Sequence, residues 1–202
     1  DAATVTLTDT ADATDITFAG SATITTLNTA AQPYNIVFNG AANVITNLVT
    51  FTNTGTVTLG DGSSDVTTFT AGVTATDPST VYVAGTIKAA STAVITLGDA
   101  DTGVSVTATS TIGDNSTGTI TLGDVTLEDG ATLTIGKNGV VNTQNIRSIS
   151  GTAGGSASNI TLSTSSTTTV SGNIGTDIAI LNIDGGVTFE GTVTATTIDI
   201  AG

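Results

Sequence analysis

Short runs in which apolar residues alternate with threonine, each closed by a glycine turn, recur from one end of this chain to the other. Thr56-Val57-Thr58-Leu59-Gly60-Asp61 returns as Thr119-Ile120-Thr121-Leu122-Gly123-Asp124. Ala93-Val94-Ile95-Thr96-Leu97-Gly98-Asp99 and Thr132-Leu133-Thr134-Ile135-Gly136-Lys137 are variants of it. A step of two residues places Val, Leu and Ile on one face and Thr on the other, the signature of a strand buried on one side. The runs end at Gly-Asp, Asn-Gly or Gly-Gly. Glycine accepts positive φ there, and Asn or Asp bonds to its own backbone. No window carries a 3.6-residue apolar stripe, and 48 Thr with 24 Gly among 202 residues weigh against helix. The chain reads as all-β.

A second string has the form apolar-x-Phe-x-Gly. The segment from Ile16 to Leu27 aligns without gaps on the segment from Val187 to Ile198. Ile36-Val37-Phe38-Asn39-Gly40 is a third copy, and Val81-Tyr82-Val83-Ala84-Gly85 a looser fourth. In the first string, the last apolar residues stand at 59, 97, 122 and 135. The gaps fit multiples of roughly 12.6 residues, as edges recurring once or twice per turn of a stacked coil would give. Self-similarity of this kind predicts a β-solenoid of about 20–25 residues per coil, with coils ~4.8 Å apart and aliphatic ladders inside. That gives about 8–10 coils for the chain. An antiparallel β-sandwich is the alternative, but sandwiches seldom repeat their own sequence and lean on bulky aromatics. Only 3% of residues here are aromatic. Phe18, Phe38, Phe51, Phe69 and Phe189 fall at alternating positions and are expected in the core. Residues 1–202 read as a single repetitive domain, a fragment or processed part of a longer surface protein, with a Gly/Ser-rich loop at 150–158.

Charge excludes several functions. Three Lys and Arg stand against 17 Asp and Glu, a net charge of −14. Such a chain does not neutralise a phosphate backbone or seek an anionic membrane, so no nucleic acid and no membrane insertion are expected. With no His and no Cys, neither a Ser–His–Asp nor a Cys–His nucleophile can be assembled. Glu128, Asp129, Asp184 and Glu190 are available as glycosidase-type carboxylates, but sugar-stacking aromatics are scarce, and the chain reads as non-enzymatic. Lys88 and Lys137 read as surface lysines, with no Asn or Asp partner for a crosslink legible in the sequence.

The acids gather at turns. Asp99 and Asp101, and Asp61 and Asp65, flank glycines in a spacing that supplies part of the oxygen shell of calcium. These four are the candidate metal ligands and calcium the candidate cofactor, beside the plainer reading that Asp and Gly make turns. Thr-x-Thr pairs such as Thr56/Thr58 and Thr119/Thr121 would order water as an ice-binding face if aligned coil on coil. Their irregular spacing in the sequence argues against that alignment.

Gly172-Asn173-Ile174-Gly175, an apolar strand to Ile183, and then Gly186-Val187-Thr188-Phe189-Glu190-Gly191-Thr192-Val193 resemble the repeat unit of rickettsial-type surface antigens, over about 30 residues. The resemblance implies an autotransporter passenger or S-layer-like coat on a β-solenoid fold, and carries over no catalytic residue. The expected function is a structural component of a bacterial cell-surface layer or extracellular fibre, assembling with copies of itself. An adhesin passenger that binds a host receptor or glycan, and a phage tail-fibre segment, are the alternatives. The expected location is extracellular, at the cell surface.

Overall fold

The computed structural model describes residues 1–8, 11–163 and 167–201. Among them are twenty strands and no helix, and every strand pairing is parallel. Parallel pairing removes the antiparallel sandwich and leaves a β-solenoid of about eight turns. Its axis is about 38 Å long at the usual interstrand spacing.

Inward columns of apolar residues run along this axis behind each side of a three-sided cross-section, and one from each side is traced here. On the first side the partners are Ile16, Ile36, Val57, Val81, Val104, Val125, Ile149, Ile174 and Val193. On the second they are Ile87, Ile112, Ile135, Leu162, Ile183 and Ile200. On the third they are Ala75, Leu97, Leu122, Ile146, Val170 and Phe189. All nine residues of the first column are β-branched, because a branched Cβ packs tightly on a pleated surface against a like neighbour. Most rungs in the middle of the stack are fully buried, each side chain contributing about 1.5–3 kcal/mol.

The repeated string proves to be the unit of a side, not of a turn. Leu97 and Leu122 are true partners one turn apart, but Leu59 lies on the first side and Ile135 on the second. The 12.6-residue step therefore has no structural counterpart. In the same way Phe18 belongs to the first side and Phe189 to the third, so the two aligned segments are one side out of phase. All three sides need the same inward-outward alternation, so equal strings do not mean equal position around the axis.

Bent strands connect the sides. Thr80–Ala89 pairs with Thr56–Leu59 through its first half and with Val66–Phe69 through its second. The bend falls at Gly85, which has φ +78 and whose added Cβ would meet the Asp65 carbonyl oxygen at 2.2 Å. Phe38, Phe51 and Phe69 are fully buried, as expected, and Phe18 and Phe189 are half-buried in the end turns. The 150–158 loop is shorter than expected. Ser150 and Gly151 end the strand Gln144–Gly151, and Ser158 opens Ser158–Ser163. The first-side column passes from Val125 through Ile149 to Ile174 without a break, so this loop interrupts no ladder.

At the two ends the core is open. Val5, Leu7, Ile16, Phe18 and Ala22 are only partly covered at one end, as are Val187, Phe189, Val193 and Ala195 at the other. Ile198 and Ile200 are 48% and 70% exposed.

Candidate functional site

Carboxylates sit chiefly at the corners, and the four candidate ligands occupy two of them. Asp61 and Asp65 belong to the bend between the first and second sides. The Asp65 carboxylate is 6% exposed, and its Oδ2 accepts the Asp61 and Gly62 N–H groups, each at 2.9 Å. The Asp61 N–H bond is the main reason the Asp65 carboxyl is held below the ordinary carboxylate range, with burial opposing it. Asp61 moves the other way, raised chiefly by its side-chain hydrogen bond to Asp65. Asp99 sits at the corner between the third and first sides. Its Oδ1 accepts the Asp101 and Thr102 N–H groups, each at 2.9 Å, and these bonds lower its pKa. Asp101 contributes its backbone N–H to this turn while its side chain stays exposed. The structure therefore brings Asp61 to Asp65 and Asp101 to Asp99, but on different turns of the stack. Among the described residues no three carboxylates converge as a metal-holding group.

Asp65 and Asp99 work as turn acceptors, and this has a pH signature. A carboxyl lowered in the folded state adds stability that is present above its unfolded pKa and lost as pH falls through the folded value. Asp61, raised on folding, has the opposite sign and partly offsets Asp65. Asp65→Ala is expected to cost about 1–2 kcal/mol at neutral pH, because two N–H groups lose their acceptor. In urea titrations the gap from the parent chain is expected to narrow as pH falls below the ordinary carboxylate value, about 4, where Asp65 of the unfolded chain takes up its proton before that of the folded chain. A gap that stays constant down to about pH 2 would show that the carboxylate charge has no part in the turn.

The three cations have defined surroundings that the sequence did not reveal. Lys137 Nζ lies 3.3 Å from Asp114 Oδ1 and donates to Asn115 Oδ1 at 3.1 Å, one turn away. Arg147 Nε donates to Asp124 Oδ2 at 3.1 Å, also across one turn. Lys88 is half-buried on the second side, in register with Thr68.

The third side carries the most regular outer surface. Thr50, Thr74, Thr96, Thr121, Asn145, Thr169 and Thr188 are successive register partners. The irregular spacing of threonines along the chain hid this column, because corners of unequal length absorb the differences. A second threonine column accompanies it for three turns on one flank, Thr119, Thr143 and Thr167, two residues before Thr121, Asn145 and Thr169, and none follows on the other flank. The positions two residues on from Thr74, Thr96, Thr121 and Asn145 are Thr76, Gly98, Gly123 and Arg147. The two glycines leave a shallow groove of about 400 Å³, bounded by Thr96, Thr121, Asn145, Thr169, Asp99 and Arg147.

Behind this side two rungs are polar. Gln144 and Thr168 continue the column of Ile95 and Ile120 and are fully buried. Thr168 Oγ1 donates to Gln144 Oε1 at 3.0 Å, and Gln144 Nε2 donates to the Ile135 carbonyl at 3.2 Å and to Asn142 Oδ1 at 3.1 Å. Buried amides with partners on both ends are tolerated and define register.

No protein-family model matches the chain, and no curated protein or solved structure matches it significantly.

Proposed function

We propose that this chain is a structural element of a bacterial cell-surface layer or extracellular fibre that assembles with copies of itself. One observation supports the reading: a regular parallel stack in which every turn repeats the inward apolar and outward hydroxyl faces of the last, the architecture of a rod rather than of a concave site. The outer columns support the same reading, since hydroxyl-bearing sides keep such a rod soluble laterally. Calcium enters as a proposed aid to assembly, screening the acids that would otherwise repel between copies. The groove on the third side, with its hydroxyls, amide and Asp99/Arg147 pair of charges, is the place where an adhesin's glycan would sit.

Negative-stain microscopy and light scattering across protein concentration, with calcium and with chelator, test the proposal. Rods one molecule wide that lengthen with concentration are the expected result. A chain that stays monomeric in every condition overturns it, and a soluble glycan that binds such a monomer with loss on Asn145→Ala would favour the adhesin reading.

A further inference from the structure

Two strands on successive turns end at the same corner. Gly103–Gly113 and Thr132–Gly136 pair in parallel, and Gly113 and Gly136 are register partners at their ends. Both glycines have positive φ, +103 and +75, and Asp114 follows the first of them at φ +42. Asp114 and Lys137 therefore leave the second side from stacked positions, one turn apart. Three side chains close on one another there. Lys137 Nζ donates to Asn115 Oδ1 at 3.1 Å and lies 3.3 Å from Asp114 Oδ1. Asn115 Nδ2 donates to Asp114 Oδ2 at 2.9 Å. One carboxylate thus faces both nitrogens, the amine with Oδ1 and the amide with Oδ2.

An amine, a carboxamide and a proton carrier in mutual contact are the parts of an amide exchange. We infer that Lys137 and Asn115 join through an isopeptide bond, with Asp114 moving the proton between them. The Lys137 ammonium first gives one proton to water. The neutral amine then attacks Asn115 Cγ, the atom bonded to the oxygen that Nζ already touches. As the new C–N bond forms, the amine passes a second proton to the Asp114 carboxylate. The carboxyl returns a proton to the amide nitrogen, the old Cγ–N bond breaks, and ammonia leaves. Asp114 ends as it began, one amide replaces another, and no oxidant, metal or cofactor takes part.

The fold supplies proximity. Well-oriented groups in one molecule react as if at about 10⁵–10⁸ M, and one turnover per chain is enough. The Lys137 and Asp114 side chains are 50% and 24% exposed, so water reaches the corner to take up the first proton and to carry off the ammonia. The other two cations lack such a partner. Arg147 faces the Asp124 carboxylate, and a guanidinium is a poor nucleophile. Lys88 stands in register with Thr68, and no carboxylate or carboxamide bonds to it among the described residues. The bond would tie two turns together across a separation of 22 residues and close the stack at that corner. It does not depend on the self-assembly reading.

Mass spectrometry of the purified chain tests the inference. Held at about pH 9, where a lysine gives up its proton more readily, the chain is expected to lose about 17 Da, the mass of ammonia. Digestion is expected to yield a branched peptide that joins Lys137 to Asn115. Lys137→Arg keeps a cation beside Asp114 but removes the nucleophile, and Asn115→Ala removes the amide, so neither is expected to lose ammonia at this corner. Asp114→Ala is expected to slow the loss by about 100-fold, while Lys88→Arg leaves it unchanged. In urea the linked chain is expected to unfold at a higher concentration than Lys137→Arg, because the link restricts the unfolded chain. Circular dichroism checks that each variant is folded. A parent chain that keeps its full mass, an ammonia loss found only in linear peptides, or a branch at any other pair of residues overturns the inference. A loss that runs at the parent rate in Asp114→Ala overturns the role given to Asp114.

Discussion

Phe38→Ala is expected to destabilise the chain by about 3–5 kcal/mol, the usual cost of truncating a fully buried aromatic. Phe38 has no exposed surface and is stacked on Phe18, with ring centroids 4.6 Å apart and an interplanar angle of 6°. Its other register partner is Leu59. In a stack each turn touches only its neighbours, so the lost ring leaves a hole that two turns share and none can close. The loss should therefore be local. Amide exchange is expected to rise first across the turns holding Phe18, Phe38 and Leu59, while the turns around Leu122 and Ile146 keep their protection. Urea unfolding followed by circular dichroism measures the total. A cost under about 1 kcal/mol would mean that the ring is not packed as described.

Gly85→Val is expected to cost about 2–5 kcal/mol, by a different route. Gly85 bends one strand from the first side onto the second at φ +78, and an added Cβ would lie 2.2 Å from the Asp65 carbonyl oxygen and 2.8 Å from that of Gly62. The left-handed backbone alone costs a side chain about 1–2 kcal/mol. Two backbone carbonyls cannot swing away as a flexible side chain would, and overpacking adds about 1–3 kcal/mol. The corner would have to open, and with it the Asp65 turn. Gly139→Ala separates the two effects. Gly139 has φ +80 but nothing within 4 Å of an added Cβ, so it should show the backbone cost alone, about 1 kcal/mol. Equal costs at the two positions would rule out the close approach as the cause.

The fold class was legible because alternation is a local property. Thr132-Leu133-Thr134-Ile135 announces an inward Leu and Ile and an outward Thr from the sequence, and the structure buries Leu133 and Ile135 completely. The turn chemistry at Asp65 and Asp99 was legible too, since Asp near Gly bonds its own backbone. Whether those carboxylates were ligands or caps was not legible. The Asp61 and Gly62 N–H groups converge on Asp65 only after the corner has folded. Lys137 met Asp114 and Asn115, 22–23 residues away, because stacking places consecutive turns side by side. The threonine column of the third side stayed hidden for the same reason. Thr96 and Thr121 are partners, yet 25 residues apart, while Thr161 and Asn182 on the second side are partners 21 apart.

By itself, then, the sequence determined that each short run has an apolar and a hydroxyl face, that runs end at glycine corners, and that such runs repeat along an acidic chain. Only the tertiary structure decided that the runs pair in parallel, how many make a turn, which side each occupies, and where polar Gln144 and Thr168 interrupt the core. The reason is that all three sides obey the same local rule. Identical strings are interchangeable to the backbone, and their place around the axis is set by the unequal corners between them and by the packing of each rung on the next.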